Sequence, residues 1–85
     1  MGDYKLKKGL VSDRIGDKTK IFDGEKSLFY TFNETATFIF THLKKGLTKK
    51  DIIENLIKKY DIGKERAEKD FDVLMADLKA KGIIS

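Results

Sequence analysis

The 85-residue sequence has no cysteine, no proline and a single histidine. Without cysteine there is no disulfide, zinc–thiolate site, iron–sulfur cluster or thiol nucleophile. One histidine excludes a multi-histidine metal site. No apolar run approaches the roughly 20 residues of a membrane helix. The opening Met1-Gly2-Asp3-Tyr4-Lys5 lacks the apolar stretch of a secretory signal. Gly-rich phosphate loops, nucleophile elbows and metal-ligand clusters are all missing. His42, beside Lys44 and Lys45, has no local carboxylate to orient it as a catalytic base. Asp70 and Asp72 stand two apart, so on a helix they face different ways and make no acid/base pair. These absences describe a small cytoplasmic protein that is not an enzyme, holds no cofactor or metal and does not enter a membrane.

What is present is charge, at 38% of residues, against 40% apolar residues and a net charge of +4. The length allows one domain spanning 1–85, and six Phe and three Tyr supply a core. A basic balance raises the prospect of nucleic acid or an acidic partner. Yet the basic excess is spread along the chain, and interspersed signs at this density give a soluble surface.

Charge is scarce in one place. From Ser27 to Leu43 the only formal charge is Glu34. Ser27–Phe32 is rich in aromatic and β-branched residues and reads as a strand, with Leu28, Tyr30 and Phe32 on one face and Ser27, Phe29 and Thr31 on the other. Leu10–Ile15 and Thr19–Phe22 are strand candidates upstream. Gly16-Asp17 and Asp23-Gly24 mark the hairpins, glycine taking the positive φ of a tight turn. Asn33 is a good N-cap for a helix carrying Ala36, Ile39, Phe40 and Leu43 at helical spacing, with Phe38 off that stripe and Gly46 as its left-handed stop. Thr48 caps a second helix with Ile52, Ile53, Leu56, Ile57 and Tyr60 on its apolar face. A turn at Asp61-Ile62-Gly63 leads to a third helix, from about Lys64 to Lys81. Its stripe is Ala67, Phe71, Leu74, Met75 and Leu78. Gly82 stops it, and Ile83-Ile84 fold back onto the core. The predicted class is α+β: a three-stranded antiparallel meander over about 10–32, then three helices over about 33–82, similar to a winged helix-turn-helix.

That likeness raises DNA binding as an alternative. The third helix would be the recognition helix, but it carries five basic and five acidic residues. Glu65, Glu68, Asp70 and Asp72 would repel phosphate, and the sequence after the helix holds no wing hairpin. The charge-free third strand points elsewhere. It is an edge in a 1-2-3 meander, and edges are usually blunted by charge or proline. Either another element covers it, or an extended peptide adds as a fourth strand, or two copies pair edge to edge. On the third helix, Lys69, Val73, Ala76 and Ala80 form a stripe opposite the core, with small residues that let another chain approach.

The junction Tyr30-Thr31-Phe32-Asn33-Glu34-Thr35-Ala36, the βββααα order, and the pattern Gly46-Leu47-Thr48, Ile52-Ile53, Tyr60-Asp61, Leu78 and Lys81-Gly82-Ile83 together resemble the PqqD family of pyrroloquinoline quinone biosynthesis. Its relatives are the recognition elements that bind precursors of ribosomally made, post-translationally modified peptides (RiPPs). Phe32 stands where the family more often has Leu. The resemblance implies a peptide chaperone, monomeric or weakly dimeric. It would hold the leader segment of a precursor as an added strand and present it to a modifying enzyme, often a radical SAM protein. The implied peptide-binding residues are Ser27, Leu28, Phe29, Tyr30 and Thr31 on the strand, with Lys69, Val73, Ala76, Asp77 and Ala80 on the helix.

Overall fold

A computed structural model describes residues 5–84; Met1 to Tyr4, most of the stretch read as lacking a signal, and Ser85 lie outside the described residues. Three strands, β1 (Leu10–Ile15), β2 (Lys18–Asp23) and β3 (Leu28–Phe32), are followed by α1 (Glu34–Lys44), α2 (Lys49–Tyr60) and α3 (Lys64–Ala80). The sheet is an antiparallel meander in the order β1-β2-β3.

The predicted punctuation works through identifiable backbone chemistry. Gly16 takes φ 64° in the two-residue loop between β1 and β2, which places Ile15 opposite Lys18. The Asn33 side chain accepts a hydrogen bond from the Ala36 N–H at 2.9 Å and opens α1 directly behind β3. The Thr48 hydroxyl does the same for Asp51 at 3.2 Å. Asp61, left-handed at φ 52°, ends α2.

The second hairpin differs from expectation. Asp23-Gly24 does not form a two-residue turn with positive φ on glycine. A four-residue loop, 24–27, connects the strands, and the left-handed residue is Ser27 at φ 54°. Ser27 is therefore in the turn, and β3 begins at Leu28. The cause is the Asp23 carboxylate, which is fully buried and accepts from the backbone N–H groups of Glu25 (3.1 Å) and Lys26 (3.2 Å). An aspartate that binds the backbone two and three residues on winds the chain into a wider loop.

One core unites the two halves. The inner face of the sheet supplies Ile21 and Phe32, α1 supplies Ile39 and Phe40, and α2 supplies Ile52, Ile53 and Leu56. From α3 come Ala67, Phe71, Leu74, Met75 and Leu78, and Ile83 and Ile84 close over them. Phe32 meets Phe40 edge-on at 5.4 Å between ring centres. Phe38, off the main stripe as predicted, packs edge-on against Tyr60 at 5.7 Å. Thr37, fully buried on α1, donates its hydroxyl to the Phe32 carbonyl at 3.4 Å and ties the strand end to the helix.

The described residues before β1 are pinned in place. Leu6 bridges Ile84, and the Lys7 N–H donates to the Ile83 carbonyl at 2.8 Å. Lys7 Nζ lies 2.8 Å from the Asp23 carboxylate. That ion pair holds Asp23 below the usual carboxylate range and raises Lys7 above its own, against the opposing effect of desolvation.

Candidate peptide-binding cleft

The phase of the hydrogen-bond ladder follows from the two-residue loop at Gly16-Asp17. In such a hairpin the residues flanking the loop exchange both hydrogen bonds, and the pairs alternate from there. Ile15–Lys18 is thus a bonded pair, and Thr19 turns its N–H and C=O away from β1 toward its β3 partner Phe32. Continuing the alternation, Tyr30 bonds Ile21 and Leu28 bonds Asp23. Phe29 and Thr31 turn their N–H and C=O outward, where the sheet has no further strand.

Beyond that edge lies a cleft of about 660 Å³. Its strand side is Thr31 and Phe32, and its end wall is Asn33 with Thr35, Ala36 and Ile39 of α1. The far wall is α3, presenting Arg66, Lys69, Asp70, Val73, Leu74 and Asp77. No α3 Cα comes within 8 Å of a β3 Cα. Neighbouring strands sit about 4.8 Å apart, so the cleft leaves space beside β3 without the helix capping the edge. At the other end the cleft closes. Lys81 Nζ lies 5.4 Å from the centre of the Tyr30 ring, and Lys26 Nζ donates to the Lys81 carbonyl at 2.9 Å.

The structure gathers only some of the residues expected from sequence. Thr31, Lys69, Val73 and Asp77 line the cleft together. Phe29 offers its backbone to the edge but points its ring to the outer face of the sheet. Tyr30 lies half-buried on the inner face under Lys81, and Leu28 is about half exposed at the strand's start. Ser27 is in the turn. Ala76 and Ala80 are exposed and lie outside the cleft. At 3.6 residues per turn the cleft face follows Arg66, Asp70, Val73 and Asp77. Ala76 falls on its solvent flank, and Ala80 lies past the closure at Tyr30. Arg66 and Asp70 were missed, although successive steps back of three and four residues from Val73 reach them; Leu74, placed on the core stripe, also lines the cleft. Thr35 and Ala36 were missed too, although the one-residue link at Asn33 forces the first turn of α1 to stand at the end of β3.

The cleft's charges are mostly matched. Arg66 lies 3.8 Å from Asp70, and Lys81 holds Asp77. Lys69 has no ion-pair partner among the described residues. Asp70 and Asp77 stand about 10 Å apart along the helix, each beside its own cation, so they do not act as a carboxylate dyad. His42 is occupied as well: its Nδ1 lies 2.7 Å from the Phe38 carbonyl and its ring packs on Phe38 at 4.1 Å. Among the described residues there is no group of three or more potential metal ligands, and no helix is long and apolar enough to cross a membrane. The cleft's chemistry is that of a binding surface: unpaired backbone groups, an apolar floor and a largely neutral rim.

The family model for coenzyme PQQ synthesis protein D (PqqD) matches residues 19–84, from β2 to the end of the core. The chain belongs to the PqqD family. Two solved structures share this PqqD-family fold. One is TbiB1 in complex with the TbiA(beta) leader peptide, with a TM-score of 0.89 and 17% identity over 95% of this chain and 94% of that one. The other is lasso peptide synthetase B1 complexed with the leader peptide, with a TM-score of 0.89 and 23% identity over 98% of each chain. No curated protein gives a significant match.

Proposed function

We propose that this PqqD-family protein binds the leader segment of a ribosomally made precursor peptide as a fourth strand beside β3, and presents the precursor to a modifying enzyme. The observation that carries the reading is the pairing of an open, charge-free strand edge with a cleft of about 660 Å³ beside it. Outward N–H and C=O groups of Phe29 and Thr31 supply affinity for any extended backbone, and the cleft floor at Ala36, Ile39 and Leu74 takes side chains from it. Both structural neighbours were solved with leader peptides, which supports the same occupant here. The protein acts by positioning: a tethered leader raises the local concentration of the attached core peptide at the enzyme. The enzyme partner is of the radical SAM kind, and the setting is the cytoplasm, where precursors are translated.

The test is an amide-shift titration with the leader peptide encoded beside the gene. Resonances of Phe29, Thr31, Ala36, Lys69, Val73 and Asp77 should move together and saturate. Saturating peptide that leaves β3 and α3 unmoved sinks the proposal.

A further inference from the structure

The outer face of the sheet, turned away from the helices, carries an apolar row that the cleft does not explain. Val11, Phe22 and Phe29 are direct cross-strand partners. Val11 is 62% exposed and Phe29 71%. The Phe22 and Phe29 rings meet at 4.8 Å with a tilt of 43°. Single exposed apolar residues are ordinary, but a contiguous apolar row, exposed at both ends and half-buried at Phe22, marks an interaction surface. The next row along the same face is different in kind: Asp13, Lys20 and Thr31. The apolar row therefore runs to the open edge at Phe29 and stops there, two residues from a polar row that also reaches the edge.

A strand added beside β3 lengthens each row by one residue. Its side chain at the Phe29 position stands about 4.5–5.5 Å from Phe29, measured between Cβ atoms, in either strand direction. We infer that the peptide recognised at this edge carries a large apolar side chain, aromatic or β-branched, on the outer face beside Phe29, with a polar or small residue two positions away beside Thr31. This rests on the strand-addition reading and adds a second recognition element to it. The residue between those two positions faces the cleft, while this contact lies on the opposite side of the sheet. The peptide is read on both faces, and the spacing of two fixes its register, since a slip of one residue would send every side chain to the wrong face.

The experiment is a double-mutant cycle with the synthetic leader encoded beside the gene, its residue at the Phe29 position identified by nuclear Overhauser contacts to the Phe29 ring. An aromatic or β-branched residue should give those contacts. Phe29→Ala should weaken binding about five- to tenfold, the range expected for losing an aromatic cross-strand pair. Replacing the contacting peptide residue by Ala should weaken binding to the native protein equally and change nothing further in Phe29→Ala. Phe29→Leu should restore most of the affinity. The peptide-side substitution keeps the test valid if Phe29→Ala folds poorly. A charged residue against Phe29, or additive effects of the two substitutions, overturns the inference while leaving strand addition standing, provided the Thr31 amide still shifts. If the Thr31 amide does not respond to the peptide at all, strand addition fails and this inference with it.

Discussion

Two neighbouring residues on β3 should respond oppositely to the same substitution. Thr31 turns its N–H toward the open edge, and Tyr30 turns its N–H toward Ile21. Proline removes the N–H at either position and is tolerated on an edge strand only where that N–H faces outward. Thr31→Pro thus removes no ladder bond, and Tm should stay within about 4 °C of the parent, the shift that 1 kcal/mol produces in a domain this small. In the complex, however, a peptide carbonyl loses its donor at a site closed from water. An unsatisfied buried acceptor costs about 1–3 kcal/mol, or roughly five- to 150-fold in Kd. Thr31→Val, which keeps the N–H and the β-branch, should bind within about threefold of the parent. Tyr30→Pro breaks the bond to Ile21, and compared with Tyr30→Ala it should lose about 1–3 kcal/mol, or roughly 4–24 °C in Tm. Fluorescence anisotropy of a labelled leader and thermal melts by circular dichroism measure both quantities. Parent affinity in a well-folded Thr31→Pro refutes strand addition at this edge. A Tm loss in Thr31→Pro as large as that in Tyr30→Pro refutes the assigned ladder phase.

Three further outcomes follow from other parts of the molecule. Asp23 has its folded pKa depressed by Lys7, so its contribution to stability is present above about pH 3.9 and is lost as pH falls through the lower folded value; the Tm gap between the parent and Asp23→Asn should therefore be widest near neutrality and close below about pH 4. Tyr60 buries its hydroxyl oxygen beside the Glu34 carboxylate without a well-formed hydrogen bond, and desolvation followed by Glu34 raises its pKa, so Tyr60→Phe should change stability by no more than about 1 kcal/mol in denaturant melts, because it removes a desolvated polar atom and at most a weak contact. Because the cleft carboxylates each sit beside their own cation, leader affinity should change by less than about threefold between 50 and 500 mM salt, where a contact with several phosphates would lose orders of magnitude.

The meander and the three helices were legible because local signals and burial agree. β1 falls on Leu10–Ile15 and α1 opens after Asn33, as patterning and capping predict. What sequence did not carry is long-range. The wider loop after β2 depends on Asp23 being buried, and that burial depends on Lys7, 16 residues earlier. The N-terminal segment has no periodicity of its own because it is held by Ile83 and Ile84. The rotation of α3 was ambiguous for a different reason. Its core stripe fixes one face, but Val73 with Ala76 and Val73 with Asp77 are equally good helical neighbours of the opposite face. Only the position of β3 selects the Arg66–Asp70–Val73–Asp77 line. The open edge was legible as an absence of charge, but which of its residues turn outward required the phase set at Gly16-Asp17.

The distribution of ion pairs bears on how a helix with so many charges can border an open strand edge. On α3, Asp72 is taken by Lys49 of α2, Asp70 by Arg66 and Asp77 by Lys81. Each pair is surface-exposed to some degree and adds little stability by itself. Along the cleft wall their effect is electrostatic quiet: Arg66, Asp70 and Asp77 each lie within reach of an opposite charge. In such surroundings the unpaired N–H and C=O groups of Phe29 and Thr31 are the strongest unmet demand at this edge. An extended chain that brings matching groups and an apolar side chain for the floor at Ile39 and Leu74 meets that demand, whereas a phosphate backbone would meet the Asp70 and Asp77 carboxylates on the same wall.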